Sequence, residues 1–250
     1  KIIFALTHNY SAYPMLREAK KIVTSGKIGK VNLVNVEYPQ GYTAGIKKKD
    51  ERKILKWRLD KNISGPSMIL SEIGTHAYHL LRYVTELEVK ELAAEVNNLS
   101  KELTVDDNAF VLLRLNNNSR GSIWVSSAAT GGENGLKIRV YGTKGAVEWF
   151  QDDPNNLKFT ELDKPTKIIT RASKGVSNFS LTSSRLAAGH PEGFFEAFAN
   201  IYTEFADIIN MQSKKNIVPS YPTIDDGVKG IKFIFAAKKS SKLNSKWIKI

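Results

Sequence analysis

In Leu136-Lys137-Ile138-Arg139-Val140-Tyr141-Gly142-Thr143-Lys144-Gly145, apolar Leu136, Ile138 and Val140 alternate with Lys137, Arg139 and Tyr141, and a Gly-Thr-Lys-Gly run ends the alternation. Successive side chains on a strand point to opposite faces, so this pattern predicts a half-buried strand running into a tight turn. The same pattern holds from Val89 to Phe150, where Asn116-Asn117-Asn118-Ser119-Arg120-Gly121 supplies a second turn signal. Strands of this kind in succession form an antiparallel meander with one face packed and one wetter. One or two more short strands are expected between Leu157 and Thr170, followed by a serine-rich loop over residues 171 to 191.

Helices flank this block. Met15, Leu16, Ala19, Ile22 and Val23 recur at helical spacing and stop at Gly26. Phe194, Phe198, Ile201, Phe205 and Ile208 do the same near the other end, and a last helix begins near Thr223 with Val228, Ile231, Phe235 and Ala236. The chain opens on Ile2-Ile3-Phe4-Ala5-Leu6, which reads as a strand, and another strand is expected from Val31 to Tyr38. Residues 39 to 66 form a long lysine-rich connection, of the length usually given to function or mobility. With no linker and no repeat, residues 1–250 are expected to form one α+β domain: a large open mixed sheet, mostly antiparallel, with helices on one face.

At 250 residues and 42% hydrophobic, the chain can bury a large core. It has no cysteine, which excludes disulfides, thiolate metal sites and thiol nucleophiles. No apolar run approaches the roughly 20 residues needed to cross a bilayer, and no charged-then-apolar leader opens the sequence, so no membrane partner and a cytoplasmic location are expected. The net charge of +12 raises the question of nucleic acid. Both basic clusters, residues 47 to 58 and 229 to 250, are dominated by lysine and lack the interleaved aromatics of single-strand binders, so they read as solvated surface. No glycine-rich dinucleotide or phosphate loop occurs: Gly131-Gly132-Glu133-Asn134-Gly135 has the wrong spacing and lies inside the meander.

The chemistry concentrates in Ser71-Glu72-Ile73-Gly74-Thr75-His76-Ala77-Tyr78-His79, which holds two of the four histidines. On a regular helix Glu72, His76, His79 and Tyr83 share an arc of roughly 60°, apart from an apolar stripe of Ile73, Ala77, Leu80, Leu81 and Val84. Three readings fit: hydrogen-bonded interior histidines, a metal site built from a carboxylate and two imidazoles, or acid/base catalysis with a carboxylate fixing the imidazole tautomer. The zincin His-Glu-x-x-His arrangement is missing, and spacing alone does not choose among the three.

This stretch resembles the Gly-Asp-Ile-Gly-x-His-Ala segment of the glucose-fructose oxidoreductase, inositol dehydrogenase and MocA family of NAD(P)-dependent oxidoreductases. Tyr10-Ser11-Ala12-Tyr13-Pro14, Gly26-Lys27-Ile28-Gly29-Lys30-Val31, Trp57-Arg58-Leu59-Asp60, Tyr141-Gly142-Thr143-Lys144-Gly145 and Gly189-His190-Pro191-Glu192-Gly193 look like further landmarks in the family's order, over nearly all 250 residues. The resemblance implies the carboxy-terminal, glyceraldehyde-3-phosphate-dehydrogenase-like domain that binds substrate and commonly mediates homo-oligomers through its open sheet. The Rossmann domain, with the cofactor glycines and the catalytic lysine, is then expected upstream of Lys1. NAD or NADP is expected in the full-length protein, and neither cofactor binding nor turnover in this chain alone.

Carried over by position, His76 matches the histidine that exchanges the hydroxyl proton, and Glu72 stands where the family has aspartate, a departure that lengthens the carboxylate's stem. Ser71 stands where glycine is usual. Tyr10, Tyr13, Trp57 and Arg58 would suit a sugar or polyol pocket, with His79, His190 and Glu192 close to it; no metal ligand is assigned. His190-Pro191-Glu192 also fits simple helix capping. The reaction implied is hydride transfer between the nicotinamide and a hydroxyl of a sugar, cyclitol or related polyol. A non-catalytic carbohydrate-binding or assembly domain, or NAD-assisted glycoside cleavage by the full-length protein, are the alternatives.

Overall fold

The computed structural model describes residues 2–46, 56–210 and 219–250. Nine strands form one sheet: β1 (Val31–Pro39), β2 (Val89–Asn97), β3 (Asn108–Leu115), β4 (Arg120–Ser126), β5 (Lys137–Gly142), β6 (Gly145–Phe150), β7 (Asn156–Glu161), β8 (Lys167–Thr170) and β9 (Ile248–Lys249). Their order is β8-β7-β6-β5-β1-β4-β3-β2-β9. Among the described residues only β1 against β4 is parallel, and every other pairing is antiparallel. The fold is therefore the expected open, mostly antiparallel α+β sheet. The basic cluster's Lys47, Lys48, Lys49, Arg52 and Lys53 lie outside the described residues.

Register keeps the two faces distinct. Val36 stands opposite Ile123 and Ile138, and Val111 opposite Ile123, all on the packed face. The other face carries Asn35 hydrogen-bonded to Ser122 (2.7 Å), Arg139 paired with Glu37, and Phe110 stacked on Trp124, with Leu33, Phe110 and Leu112 half exposed. The helices α1 (Pro14–Thr24), α3 (Thr75–Thr85) and α6 (Ile224–Lys242) cover the packed face, while α5 (Phe194–Asn210) packs on the 3₁₀ turn Asn9–Ala12. Two short helices, α2 (Lys56–Leu59) and α4 (Asn178–Leu181), lie in the long connections.

Local sequence explains the helix ends. Pro14 occupies the first turn of α1, where its missing N–H costs nothing, and Gly26 takes a positive φ just beyond its end. Thr223 and Asp226 form a capping box at the start of α6. Two expectations need correction. Ile2–Leu6 form no strand: they run as a strap whose Leu6 N–H donates to the Pro222 carbonyl (2.8 Å), and no sheet pairing involves them among the described residues. On α6 the buried stripe is Phe233, Ile234 and Ala237, whereas Val228, Ile231 and Phe235 face outward; the helix is apolar on both sides, and Phe233 stacking on Tyr78 of α3 (4.4 Å between ring centroids) sets its rotation.

Strand β5 ends where backbones meet, since a Cβ at Gly142 would sit on the Ile28 carbonyl. Gly142→Ala is expected to lower the free energy of unfolding by about 1–3 kcal/mol, the usual cost of overpacking, as read by urea denaturation.

Candidate active site

A single widened turn sets the site. Leu70–Gly74 form a π turn, in which the Thr75 N–H donates to the Leu70 carbonyl, and α3 starts directly after it. The extra residue breaks the regular helical arc that would have aligned Glu72 with His76, and π turns recur at functional sites. Ile73, Ala77, Leu80, Leu81 and Val84 are buried as the periodicity predicts, which anchors α3 and leaves His76 at the edge of a pocket of about 540 Å³.

Glu72 and Arg58 line the same pocket, and they are engaged with each other. The Arg58 guanidinium lies 2.7 Å from Glu72 Oε1, and the Tyr42 hydroxyl donates to Oε2, which together with burial pushes the Tyr42 phenol up. Among the described residues no hydrogen bond joins Glu72 to His76. The longer glutamate stem reaches Tyr42 and Arg58 instead, so the expected partner of His76 is committed elsewhere.

The remaining lining is neutral and polar. The Gln40 amide donates to Asn134 Oδ1 (2.6 Å), and the hydroxyls of Tyr10 and Tyr38 are hydrogen-bonded to each other. Asn9 Nδ2, Gln40 Oε1 and Gln151 Oε1 are buried without a partner among the described residues. Phe194 and Phe198 add an aromatic wall at 5.0 Å between ring centroids. Unpaired amide groups beside aromatic rings suit a ligand with many hydroxyls and an apolar C–H face.

Burial lowers His76 to about 3, with His8 nearby adding to the effect, so the site favours the neutral imidazole. Its Nδ1 is buried and unpartnered among the described residues, and Tyr10 meets the ring edge-on at 5.3 Å. No group of three His, Asp or Glu side chains among the described residues converges as a metal site. The one cation on the pocket wall, Arg58, is paired, and no glycine-rich loop is present, so the described residues do not themselves fit a dinucleotide.

Of the residues anticipated from sequence, His76, Glu72, Arg58 and Tyr10 come together here, and the others do not. Tyr13 is buried between Tyr10 (stacked, 5.9 Å) and Trp149 (5.3 Å), a packing role. Trp57 points to solvent under the Arg58 guanidinium, 5.1 Å away. His79 is buried behind His76 against His8. Glu192 is buried in an ion pair with Arg171 (2.9 Å), and the carbonyl of His190 accepts from the same guanidinium (2.5 Å), so this loop is an internal brace. Tyr38, Gln40, Asn134 and Gln151, which line the pocket, and Tyr42, which bonds Glu72, carried no sequence signal, because they come from three stretches of chain remote from residues 71–79. His8 lies two residues before the Tyr10–Pro14 landmark and likewise carried no sequence signal.

The model of the GFO/IDH/MocA C-terminal domain matches residues 16–148. The chain belongs to this family. GFO/IDH/MocA relatives extend the match over the rest of the chain: an uncharacterized oxidoreductase, YfiI, of Bacillus subtilis (strain 168) is 31% identical over 98% of this chain and 64% of its own length. An oxidoreductase from Sinorhizobium meliloti superposes with a TM-score of 0.87 at 41% identity, over 99% of this chain and 65% of that one. An inositol dehydrogenase homolog from Azotobacter vinelandii, complexed with NAD+, superposes at 0.91 with 27% identity over the same shares of the two chains. This chain thus spans just under two thirds of the length of the relatives it matches.

Burial pushes His8, His76 and His79 down to about 3, 3 and 4. Once unfolded they titrate near 6.5, so below that pH the unfolded chain binds more protons than the folded one, and stability falls as the pH drops. Denaturation curves from pH 7 to pH 5 should show a loss approaching about 1.4 kcal/mol per pH unit for each histidine, reduced by one histidine's share in a folded His79→Gln variant.

Proposed function

We propose that this chain is the substrate-binding and oligomerisation domain of an NAD(P)-dependent oxidoreductase acting on a hydroxyl of a sugar, cyclitol or related polyol. The observation that carries the reading is His76, a neutral imidazole on the wall of a pocket with unpaired amide groups and an aromatic side. The Azotobacter vinelandii inositol dehydrogenase homolog, also solved with NADH and myo-inositol, superposes on this chain with a TM-score of 0.86 at 26% identity. A nicotinamide, held by a part of the protein outside these residues, would supply the hydride acceptor or donor.

Within this chain, His76 takes the hydroxyl proton during oxidation and returns it during reduction. Gln40, Asn134 and Gln151 hold neighbouring hydroxyls, and Phe194 and Phe198 lie against the ring's C–H face. The Arg58–Glu72 pair leaves the wall without net charge, which favours a neutral polyol over an acid. Glu72 is a positioning residue that acts through Arg58 and Tyr42 on the shape of the pocket.

His76→Ala in the protein carrying this chain together with its dinucleotide-binding part should lower kcat by roughly 10² to 10⁴, measured with NAD+ and NADP+ against a panel of cyclitols and sugars. Wild-type turnover would exclude His76 as the proton-transfer group. Sugar binding with no turnover on any member of the panel would favour a non-catalytic carbohydrate-binding domain.

The open face of the sheet, with Leu33, Phe110 and Leu112 half exposed around Trp124, would carry a second copy of the chain. Phe110→Glu combined with Leu112→Glu should convert an oligomer to a monomer in sedimentation equilibrium; an unchanged mass would place the interface elsewhere.

A further inference from the structure

We propose that the outward side of α6 seats the part of the protein that precedes this chain, which, resting on the reading above, is its dinucleotide-binding part. Ile224, Val228, Ile231 and Phe235 recur at helical spacing, within an arc of roughly 60° on one side of α6. All four are between 47% and 59% exposed. The opposite side, with Phe233, Ile234 and Ala237, is buried, and α6 packs there on β2 and α3. A helix that is apolar on both sides is one that is covered on both, and among the described residues only one cover is present. The stripe is roughly 16 Å long at the rise of an α-helix. Charge marks its end, since exposed Lys239 and Lys242 follow in the last turns.

The amino-terminal strap says what comes to this stripe. A Cβ at Gly227 would lie 3.6 Å from Leu6 Cδ2, so the Leu6 side chain runs along the flank of α6, and the Leu6 N–H donates to the Pro222 carbonyl just before that helix (2.8 Å). Ahead of Leu6, Phe4 is half exposed and Ile2 is 94% exposed. The strap thus leads back from Thr7 and Asn9, which line the pocket of His76, to the edge of the α6 stripe, and its own exposed residues there are apolar. The matched family model is that of a C-terminal domain, and this chain spans just under two thirds of the relatives' length. A preceding part joined through the strap is delivered beside the stripe, and so short a tether keeps its local concentration there high.

A second copy of the chain suits the stripe less well. The outward side of α6 points away from the sheet, whereas Leu33, Phe110 and Leu112 lie on the face that the helices leave open. The two apolar surfaces are on opposite sides of the domain and do not join into one interface. The seat is also fixed relative to the pocket. Asp226 in the first turn of α6 lies 3.1 Å from the Arg82 guanidinium on α3, and Phe233 stacks on Tyr78 of the same helix. A body seated on α6 therefore keeps a set position relative to His76, which α3 carries.

Photo-crosslinking in the full-length protein tests the seat. A p-benzoylphenylalanine placed at Ile231 or at Phe235 should, on irradiation, join α6 to a peptide from before Lys1 in the same molecule, read by mass spectrometry after digestion of the monomer-mass band. The same group at Phe110, on the open sheet, should give no such product. Val228→Glu combined with Ile231→Glu should speed chymotryptic cleavage after Phe4 about tenfold or more, with the circular dichroism unchanged. Crosslinks from both α6 positions only to other copies, or to no peptide, would overturn the proposal, as would wild-type cleavage of the strap in the folded double variant. If that variant does not fold, the crosslinks decide. A crosslinked preceding part that binds neither NAD+ nor NADP+ would overturn the occupant named here. Wild-type turnover in His76→Ala would instead remove that residue's catalytic role and leave the crosslinks as they are.

Discussion

Ala77, Leu80, Leu81 and Val84 are fully buried against the sheet and α1, and at about 1.5–3 kcal/mol for each large apolar side chain, α3 cannot rotate without exposing several of them. That constraint places the polar side of the same helix. His76 is held at the pocket wall and His79 one turn further into the interior. The histidines stay neutral because the packing that holds α3 also removes water from them, and a charged imidazole is poorly tolerated there.

The π turn before α3 reconciles two demands. Ile73 and Leu70 must stay in the core, while Glu72 must reach Arg58 and Tyr42. One extra residue in the turn lets both happen, at the cost of the regular arc that would have set Glu72 beside His76. Arg58, on the short helix α2, in turn neutralises the wall, so the remaining lining consists of amides, hydroxyls and aromatic rings whose positions the sheet and α5 set. The second brace, Arg171 with Glu192, holds the loop that leads into α5 and thereby the Phe194–Phe198 wall.

Much of this architecture is legible in the sequence. The alternation from Leu136 to Tyr141 announces a strand with one wet face, because a period of two matches the alternating sides of a pleated strand, and the structure buries Ile138 and Val140 accordingly. The stripe Ile73 to Val84 announces which side of α3 goes inward. Less legible is α6, where apolar residues occupy both sides and only the Tyr78–Phe233 stack picks Phe233, Ile234 and Ala237 over Val228, Ile231 and Phe235. Tyr13 and Glu192 look like pocket residues because aromatic and charged types near a motif suit a sugar equally well as ligands or as braces; their burial and pairing decide for bracing, while His190 is exposed and gives only its backbone carbonyl to Arg171.

The sequence by itself determined the features that arise from short-range periodicity and from a distinctive ordered motif: the open antiparallel sheet, the helices on one face, and the family. Those depend on neighbours a few positions apart. The tertiary structure alone decided which polar groups meet, because the segment of Gln40 and Tyr42, Asn134, Gln151 and His8 lie far apart in the chain and the fold brings them around Glu72 and His76. The cluster of His8, His76 and His79 is of this kind: no spacing in the sequence connects residue 8 to α3, and the strap's hydrogen bond to Pro222 helps lay it there.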